Sequence, residues 1–360
     1  MLRITIRPHW ELVPERENAV DTTGLLVLLA AVQDTGSLAQ AARSVGWSYR
    51  HAWGQVKQAE ALFGRPLIDA GRGRGSTLTE VGLKLIWADR RIAARLSPLL
   101  ESLASELEGE LERTLVLEDA RAVLRLDASH GFAVAALVEQ LEAGGTTVEL
   151  RYRNSLESVA ALARGECDLA GFHVPSGELE TPALARYLRW LKPAEHRLLH
   201  LAHRTQGLFV ARGNPKRIRS LADLARADVR FVNRPEGSGT RVLTELLLAR
   251  QGLSPQQVAG YDDTELTHAA VAAYIASGMA DAGIGVQTAA TRFGLHFIPL
   301  LRERYFLALP AAALGRPQLQ PALALMQSPA LRAAIAALAG YDARDTGRLL
   351  SLREAFELPG

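Results

Sequence analysis

Four stretches of this 360-residue chain share one arrangement: a short β-like run ends, and a helix opens on small hydroxyl or amide residues. Ser129-His130-Gly131 follows Leu124 to Asp127, Asn154-Ser155 follows Val148 to Tyr152, and Gly237-Ser238-Gly239-Thr240 follows Val229 to Asn233. Thr264 to Thr267 precedes a helix through Tyr274, and His173 sits just past another strand-like run. The first turn of a helix carries unpaired N–H groups and about half a positive charge. Several such turns converging on one cleft make an anion site. The candidate ligand-binding residues are therefore Ser129, His130, Asn154, Ser155, His173, Ser238, Gly239, Thr240, Thr264 and Thr267. Ser, Thr and Asn are also the ordinary helix caps, so each of these taken singly is explained by capping. The Ser238-Gly239-Thr240 loop stands out, because glycine lets backbone approach a ligand closely. Arg234 and Arg241 rank below the hydroxyls as sources of charge.

A second chemistry lies near the N-terminus. "TTGLLVLLAAVQDTG" is a helix ended by Gly36, Ser37 caps "SLAQAARSVG", Gly46 makes a turn, and Ser48 caps a helix running to about Phe63. Helix, glycine turn and helix at this spacing form a helix-turn-helix unit, whose second helix presents its first turn to base edges in a major groove. Tyr49, Arg50 and Trp53 face outward there, with Lys57 one turn further on. "PLIDAGRGRGSTLTEVG" then reads as a hairpin wing with Arg72 and Arg74 at its tip. Ser37, Ser48, Tyr49, Arg50, Trp53, Lys57, Arg72 and Arg74 are the candidate DNA-binding residues.

These sites need elements to hold them. Residues 1–83 read as the DNA-binding domain, 84–114 as a linker and dimerisation helix, and 115–360 as a ligand-sensing domain. In the linker, Leu85, Ile92 and Leu99 recur every seven residues with Leu96 and Leu103 interleaved. That seam suits a partner helix from a second subunit, and Pro98 should kink the helix or end its first part. Beyond Leu115, β-like runs alternate with helices, which predicts an α/β domain with a mostly parallel sheet.

Residues Leu25 to Leu85 resemble the winged helix-turn-helix of the molybdate-responsive, LysR-related regulators, through "TGSLAQAAR", "SYRHAW", "FGRPL" and "LTEVG". From about Arg121 to Pro310 the chain resembles the periplasmic-binding-protein-like domain of cytoplasmic regulators. The residues carrying that likeness are "RGNP", "VRFVNRPEGSGTR", "THAAVAAYIASGMADAGIGV" and "LHFIPLLRERY". The resemblance implies an α + α/β chain: a winged helix-turn-helix, a linker helix, and a two-lobed type-2 periplasmic-binding-protein-like domain. Lobe I would comprise 121–201 with 297–350, lobe II 207–293, and a ligand would close between them. The resemblance departs from the molybdate-responsive regulators in this half, which is α/β and longer than their small β domains.

Composition narrows the function. A net charge of +2 requires any nucleic-acid contact to come from a local patch, and a single Cys167 excludes a disulfide framework. "MLRITIRPHWELVPER" lacks a signal-peptide core, and no apolar run is long enough for a membrane helix, so a cytoplasmic protein is expected. "DAGIGVQ" lacks the third glycine of a dinucleotide fingerprint, "EGSGT" has no following Lys, and the histidines show no metal-ligand spacing. No catalysis, cofactor or metal is expected. The reading is a one-component transcription regulator that binds operator DNA as a homodimer or higher homo-oligomer and senses a small anion. Molybdate or tungstate is the first candidate. A carboxylate such as formate, or a molybdenum-cofactor-related metabolite, is the alternative, and a solute-binding protein or enzyme without a DNA role is the competing class. An Arg reaching into the cleft, such as Arg241 or Arg212, would favour a carboxylate.

Overall fold

The computed structural model describes residues 3–13, 20–71, 75–115 and 123–356. They fall into two compact units, Arg7–Leu96 and Met1–Ile6 with Ser97–Gly360.

In the smaller unit a two-residue strand pair, β1 (Glu11–Leu12) and β2 (Val20–Asp21), precedes three helices, α1 (Thr23–Thr35), α2 (Leu38–Ser44) and α3 (Tyr49–Phe63). Local chemistry sets their ends. Gly36 closes α1 at φ 65°, Ser37 caps α2 by accepting from the Gln40 N–H, and Ser48 caps α3 by accepting from the His51 N–H. Leu28, Leu29, Val32, Leu38, Ala41, Ala52 and Val56 pack into one apolar core. The small Ala41 and Ala52 let α2 and α3 approach closely across the turn. Strands β3 (Ile68–Gly71) and β4 (Gly75–Leu78) pair antiparallel as the wing, and Ser76 N–H bonds the Gly36 carbonyl at 2.8 Å. Arg72 and Arg74 lie outside the described residues.

Helix α4 (Glu80–Leu115) continues through Pro98, so the proline does not end it. Proline costs the helix one N–H donor, and the hydrogen bonds that Ser102 and Ser105 make just beyond it tie the following turns to the larger unit. Within the larger unit, Ser105 Oγ bonds Leu150 N–H at 2.8 Å and the Val148 carbonyl at 3.1 Å, and Ser102 Oγ bonds Tyr152 N–H at 2.9 Å. These bonds occupy the open edge of strand β6 (Val148–Tyr152).

The rest of that unit is organised on one mixed sheet. Its other strands are β5 (Leu124–Ala128), β7 (Leu169–Pro175), β8 (His196–Val210), β9 (Phe231–Val232), β10 (Ala282–Val286), β11 (His296–Pro310), β12 (Tyr341–Asp342) and β13 (Leu349–Ser351). The order is β6-β5-β7-β11-β8-β10-β9, with β12 and β13 also on β8. Only the β6-β5-β7 and β10-β9 groups are parallel; β8 and β11 run antiparallel to their neighbours, which corrects the mostly parallel expectation. The reason is that β8 and β11, each 15 residues long, cross between the two lobes in opposite directions and pair along their length. Helices α5 (Phe132–Ala143), α6 (Ser155–Ala163), α7 (Glu180–Leu184), α8 (Gly239–Arg250), α9 (His268–Ala276) and α10 (Gln287–Arg292) pack on the sheet. One lobe is cored by Leu124, Leu137, Leu150 and Phe172, the other by Phe209, Phe231, Leu243 and Ile284.

Candidate functional site

Strand ends and helix starts from both lobes surround a cleft of about 550 Å³. Gly131 opens α5 with no side-chain cap, so that helix presents its first N–H groups unclaimed by a cap. Asn154 caps α6 in a reciprocal box with Glu157, and Ser238 caps α8 by accepting from the Arg241 N–H. Gly237 adopts φ 80°, and a Cβ there would meet the Asn154 amide at 3.0 Å, so glycine is required where the two lobes meet.

Seven of the ten expected ligand residues line this cleft: Ser129, His130, Asn154, His173, Ser238, Gly239 and Thr240. Ser155 lies behind it, its hydroxyl 3.1 Å from His173 Nδ1. Thr267 is buried as the cap of α9, and Thr264 is exposed, bridged to Asn233. Neither belongs to the lining.

Of the charged residues in the cleft the sequence offered Arg234, ranked below the hydroxyls, but not Arg204. Arg204 on β8 is buried against Glu303 on β11, and Gln206 Nε2 donates at 3.1 Å both to Glu303 and to the Thr240 hydroxyl. Glu303 outweighs the cost of burial and holds the Arg204 guanidinium above its usual range. Arg234 is 6% exposed and donates to the Leu266 carbonyl at 2.7 Å. Among the described residues no carboxylate lies within ion-pair distance of Arg234, and its Nε has no hydrogen-bond partner. Burial first, and the Arg204 charge second, push it down to about 10. Arg241 instead bonds Glu245 and the Tyr261 carbonyl, and neither it nor Arg212 lines the cleft. Arg151 and Arg153 reach the lining but are committed to the buried Asp127, at 2.9 and 3.3 Å.

His173 and His268 also line the cleft, and burial together with the two guanidiniums holds both well below the ordinary histidine range. They are neutral at neutral pH. With His173 Nδ1 engaged by Ser155, its buried Nε2 has no partner among the described residues. A polar group of a ligand in the cleft would complete the bonding of this atom.

In the smaller unit, Tyr49, Arg50, Trp53 and Lys57 are all exposed on α3. Tyr49 and Trp53 stack at 6.3 Å, and Lys57 Nζ lies 4.7 Å over the Trp53 ring. Arg50 lies exposed beside this preset aromatic-basic stripe. Lys57 is also tied to Glu60 at 2.6 Å.

The family described as "PBP superfamily domain" matches residues 135–327, more than half of the chain. The chain belongs to the PBP superfamily. Ahead of this PBP-like domain, residues 24–83 match the family described as "Bacterial regulatory helix-turn-helix protein, lysR family", as the resemblance of the first helices implied. The chain is 35% identical over 203 residues to the uncharacterized protein YvgK of Bacillus subtilis (strain 168), covering 56% of this chain and 64% of that one. It is 35% identical over 147 residues to the molybdenum-pterin-binding protein MopB of Rhodobacter capsulatus, covering 39% of this chain and 52% of that one. The chain thus spans between half and two thirds of these two relatives. A hydrogen-peroxide-bound mutant of Corynebacterium glutamicum OxyR aligns with 87% of this chain and 93% of its own, at 15% identity and a TM-score of 0.45.

Proposed function

We propose that this PBP-superfamily chain is a one-component transcription regulator whose interlobe cleft takes a small anion and whose lysR-family helix-turn-helix binds operator DNA. The observation that carries this reading is Arg234: a buried guanidinium in the cleft with no carboxylate within ion-pair distance among the described residues, its charge offset only at longer range by Glu303. A charge held out of water is strongly destabilising unless something pairs with it, and an anion would do so.

The first reading is a tetrahedral oxyanion, molybdate or tungstate. Donors come from several directions and from both lobes: the α5 start, the His173 ring, the Ser238-Gly239-Thr240 loop and Arg234. Such an arrangement suits an ion with four oxygens to satisfy, and the likeness to a molybdenum-pterin-binding protein supports it. The second reading is a carboxylate such as formate or a larger molybdenum-linked metabolite. Arg234 itself favours it, since guanidinium holds a carboxylate in a fork, and the cleft is roomier than a bare oxyanion needs.

Dimerisation through α4 fits the exposure of Leu99, Leu103 and Leu107, which follow one another every fourth residue. Two copies would place their α3 helices in half-sites about one helical turn apart, ~34 Å. The hydrogen bonds from Ser102 and Ser105 to β6 give a route by which lobe movement reaches that helix. An effector acts only through its different affinity for two arrangements. The test is to select duplexes from a random pool with the full chain, then measure retention with and without molybdate, tungstate and formate. A selected sequence whose retention changes with one anion class supports the reading. No selected sequence, or retention indifferent to all three, refutes it.

A further inference from the structure

On the opposite face of the crossover strand from the cleft, His200 and His203 of β8 meet Asp345, and their ligand atoms all lie within 4.8 Å of one another. Residues three apart on a regular strand point to opposite faces. Here the register with β11 slips, Phe306 facing His200 and Tyr305 facing Ala202, so Leu201 is an extra residue. This bulge turns His203 back to the face of His200, and the two rings stand 4.5 Å apart. Leu199, Leu201 and Ala202 pack together in the core on the other side.

The third member is delivered by a docked loop. Gly347 N–H bonds the His200 carbonyl and His200 N–H the Arg348 carbonyl, each at 2.9 Å, while Thr346 Oγ bonds the Leu201 carbonyl at 2.7 Å. Asp345 Oδ2 then sits 2.8 Å from His203 Nε2, and Arg348 holds its other oxygen, Oδ1, at 3.0 Å. His200 is 2% exposed, and among the described residues neither of its ring nitrogens has a hydrogen-bond partner. A histidine buried with both nitrogens idle is poorly explained as packing, which would settle for a Phe or Leu beside Phe306.

The geometry points to a second ligand site in this chain: His200, His203 and Asp345 bind one divalent transition metal of the zinc class, with a fourth position open to water. Two imidazoles and one carboxylate are a donor set that zinc accepts in tetrahedral geometry, and softer thiolate ligands are absent. Burial holds His200 down to about 3, so it is already the neutral ligand form. Metal would replace the hydrogen that His203 Nε2 shares with Asp345, leaving the Arg348 bond to Oδ1 to orient the carboxylate. Arg348 and Arg304 are the cations that face His200, and Arg304 is itself tied to Glu180 at 2.6 Å. Bound metal pins the segment carrying β12 and β13 to the crossover strand that both of them pair with.

The experiment uses the full chain without a histidine tag, stripped with chelator and titrated with zinc chloride by calorimetry. One zinc per chain is expected, with His203→Gln and Asp345→Asn each weakening binding at least tenfold. Cobalt(II) substitution should give the intense visible absorption of a tetrahedral centre, lost in both variants. His200→Gln is a third variant, but the decision rests on the two half-buried ligands, whose replacement leaves the core intact. No zinc uptake by the wild-type chain, or uptake unchanged in both variants, overturns the proposal.

Discussion

Arg204 on β8 stands directly opposite Glu303 on β11, and the two buried side chains pair across the strands that join the lobes. Removing one partner of a buried pair leaves an uncompensated charge and costs about 3–5 kcal/mol. Here the penalty is sharpened by Arg234, whose positive charge Glu303 also offsets. Glu303→Gln should therefore lower the urea midpoint by a large margin, and R204M combined with E303M should restore most of it. A loss under 1 kcal/mol for E303Q would mean that water reaches the pair.

Arg234 should behave in the opposite way. Its charge is buried without an ion-pair partner, so Arg234→Met should raise the thermal midpoint of the ligand-free chain while abolishing its stabilisation by anions. Equal stabilisation of variant and wild type by molybdate or formate would remove Arg234 from the site.

Acid should loosen the larger unit well above the carboxylate range. Burial depresses His200 from 6.5 to about 3, and His173 and His268 shift in the same direction. The unfolded chain takes up these protons below pH 6.5 and the folded chain does not. The share due to His200 is thus full above pH 6.5 and is lost as pH falls toward 3, at about 1.4 kcal/mol per pH unit, and the shares of His173 and His268 have the same sign. Urea midpoints of the chelator-treated chain at pH 7.5 and 5.5 should differ accordingly, and His200→Leu should reduce the difference. Identical midpoints would contradict the buried, neutral histidines.

On α3, Arg50→Ala should weaken binding to the selected duplex by about 1–3 kcal/mol and flatten base preference at one position. Lys57→Ala should do less, because Lys57 is shared with Glu60 and the Trp53 ring. Gel-shift titrations against the selected sequence and single-base variants separate the two. An Arg50→Ala loss equal on all sequences would make Arg50 a phosphate contact.

What was legible in the sequence was local. Ser37, Gly46 and Ser48 set the helix ends through neighbours one to three residues away, and the order of small, capping and apolar residues spells this out. Asn154 and Ser238 were legible for the same reason. Capping alone does not say which helix starts face the cleft: Thr267 caps α9 without lining it, and Thr264 is spent on a bridge to Asn233. Arg234 was offered only as a secondary source of charge, and the Arg204–Glu303 pair was not legible at all, since the two lie 99 residues apart and meet only through the β8–β11 register. The His200, His203 and Asp345 cluster was hidden twice, by a bulge that reverses the strand's alternation and by 142 residues of separation between His203 and Asp345. The length of β8 and β11 was also missed, because charged residues interrupt the apolar pattern where the strands pass between lobes.

In the proposed function, the buried Arg234 guanidinium pairs with an anion in the cleft. Calorimetric titration of molybdate, tungstate and formate into the full chain, alongside Arg234→Met, tests it most directly. Saturable binding of one anion class at one site per chain, with no heat in the variant, is the predicted result. Binding of equal affinity in both proteins, or no binding of any of the three to the wild-type chain, would contradict it.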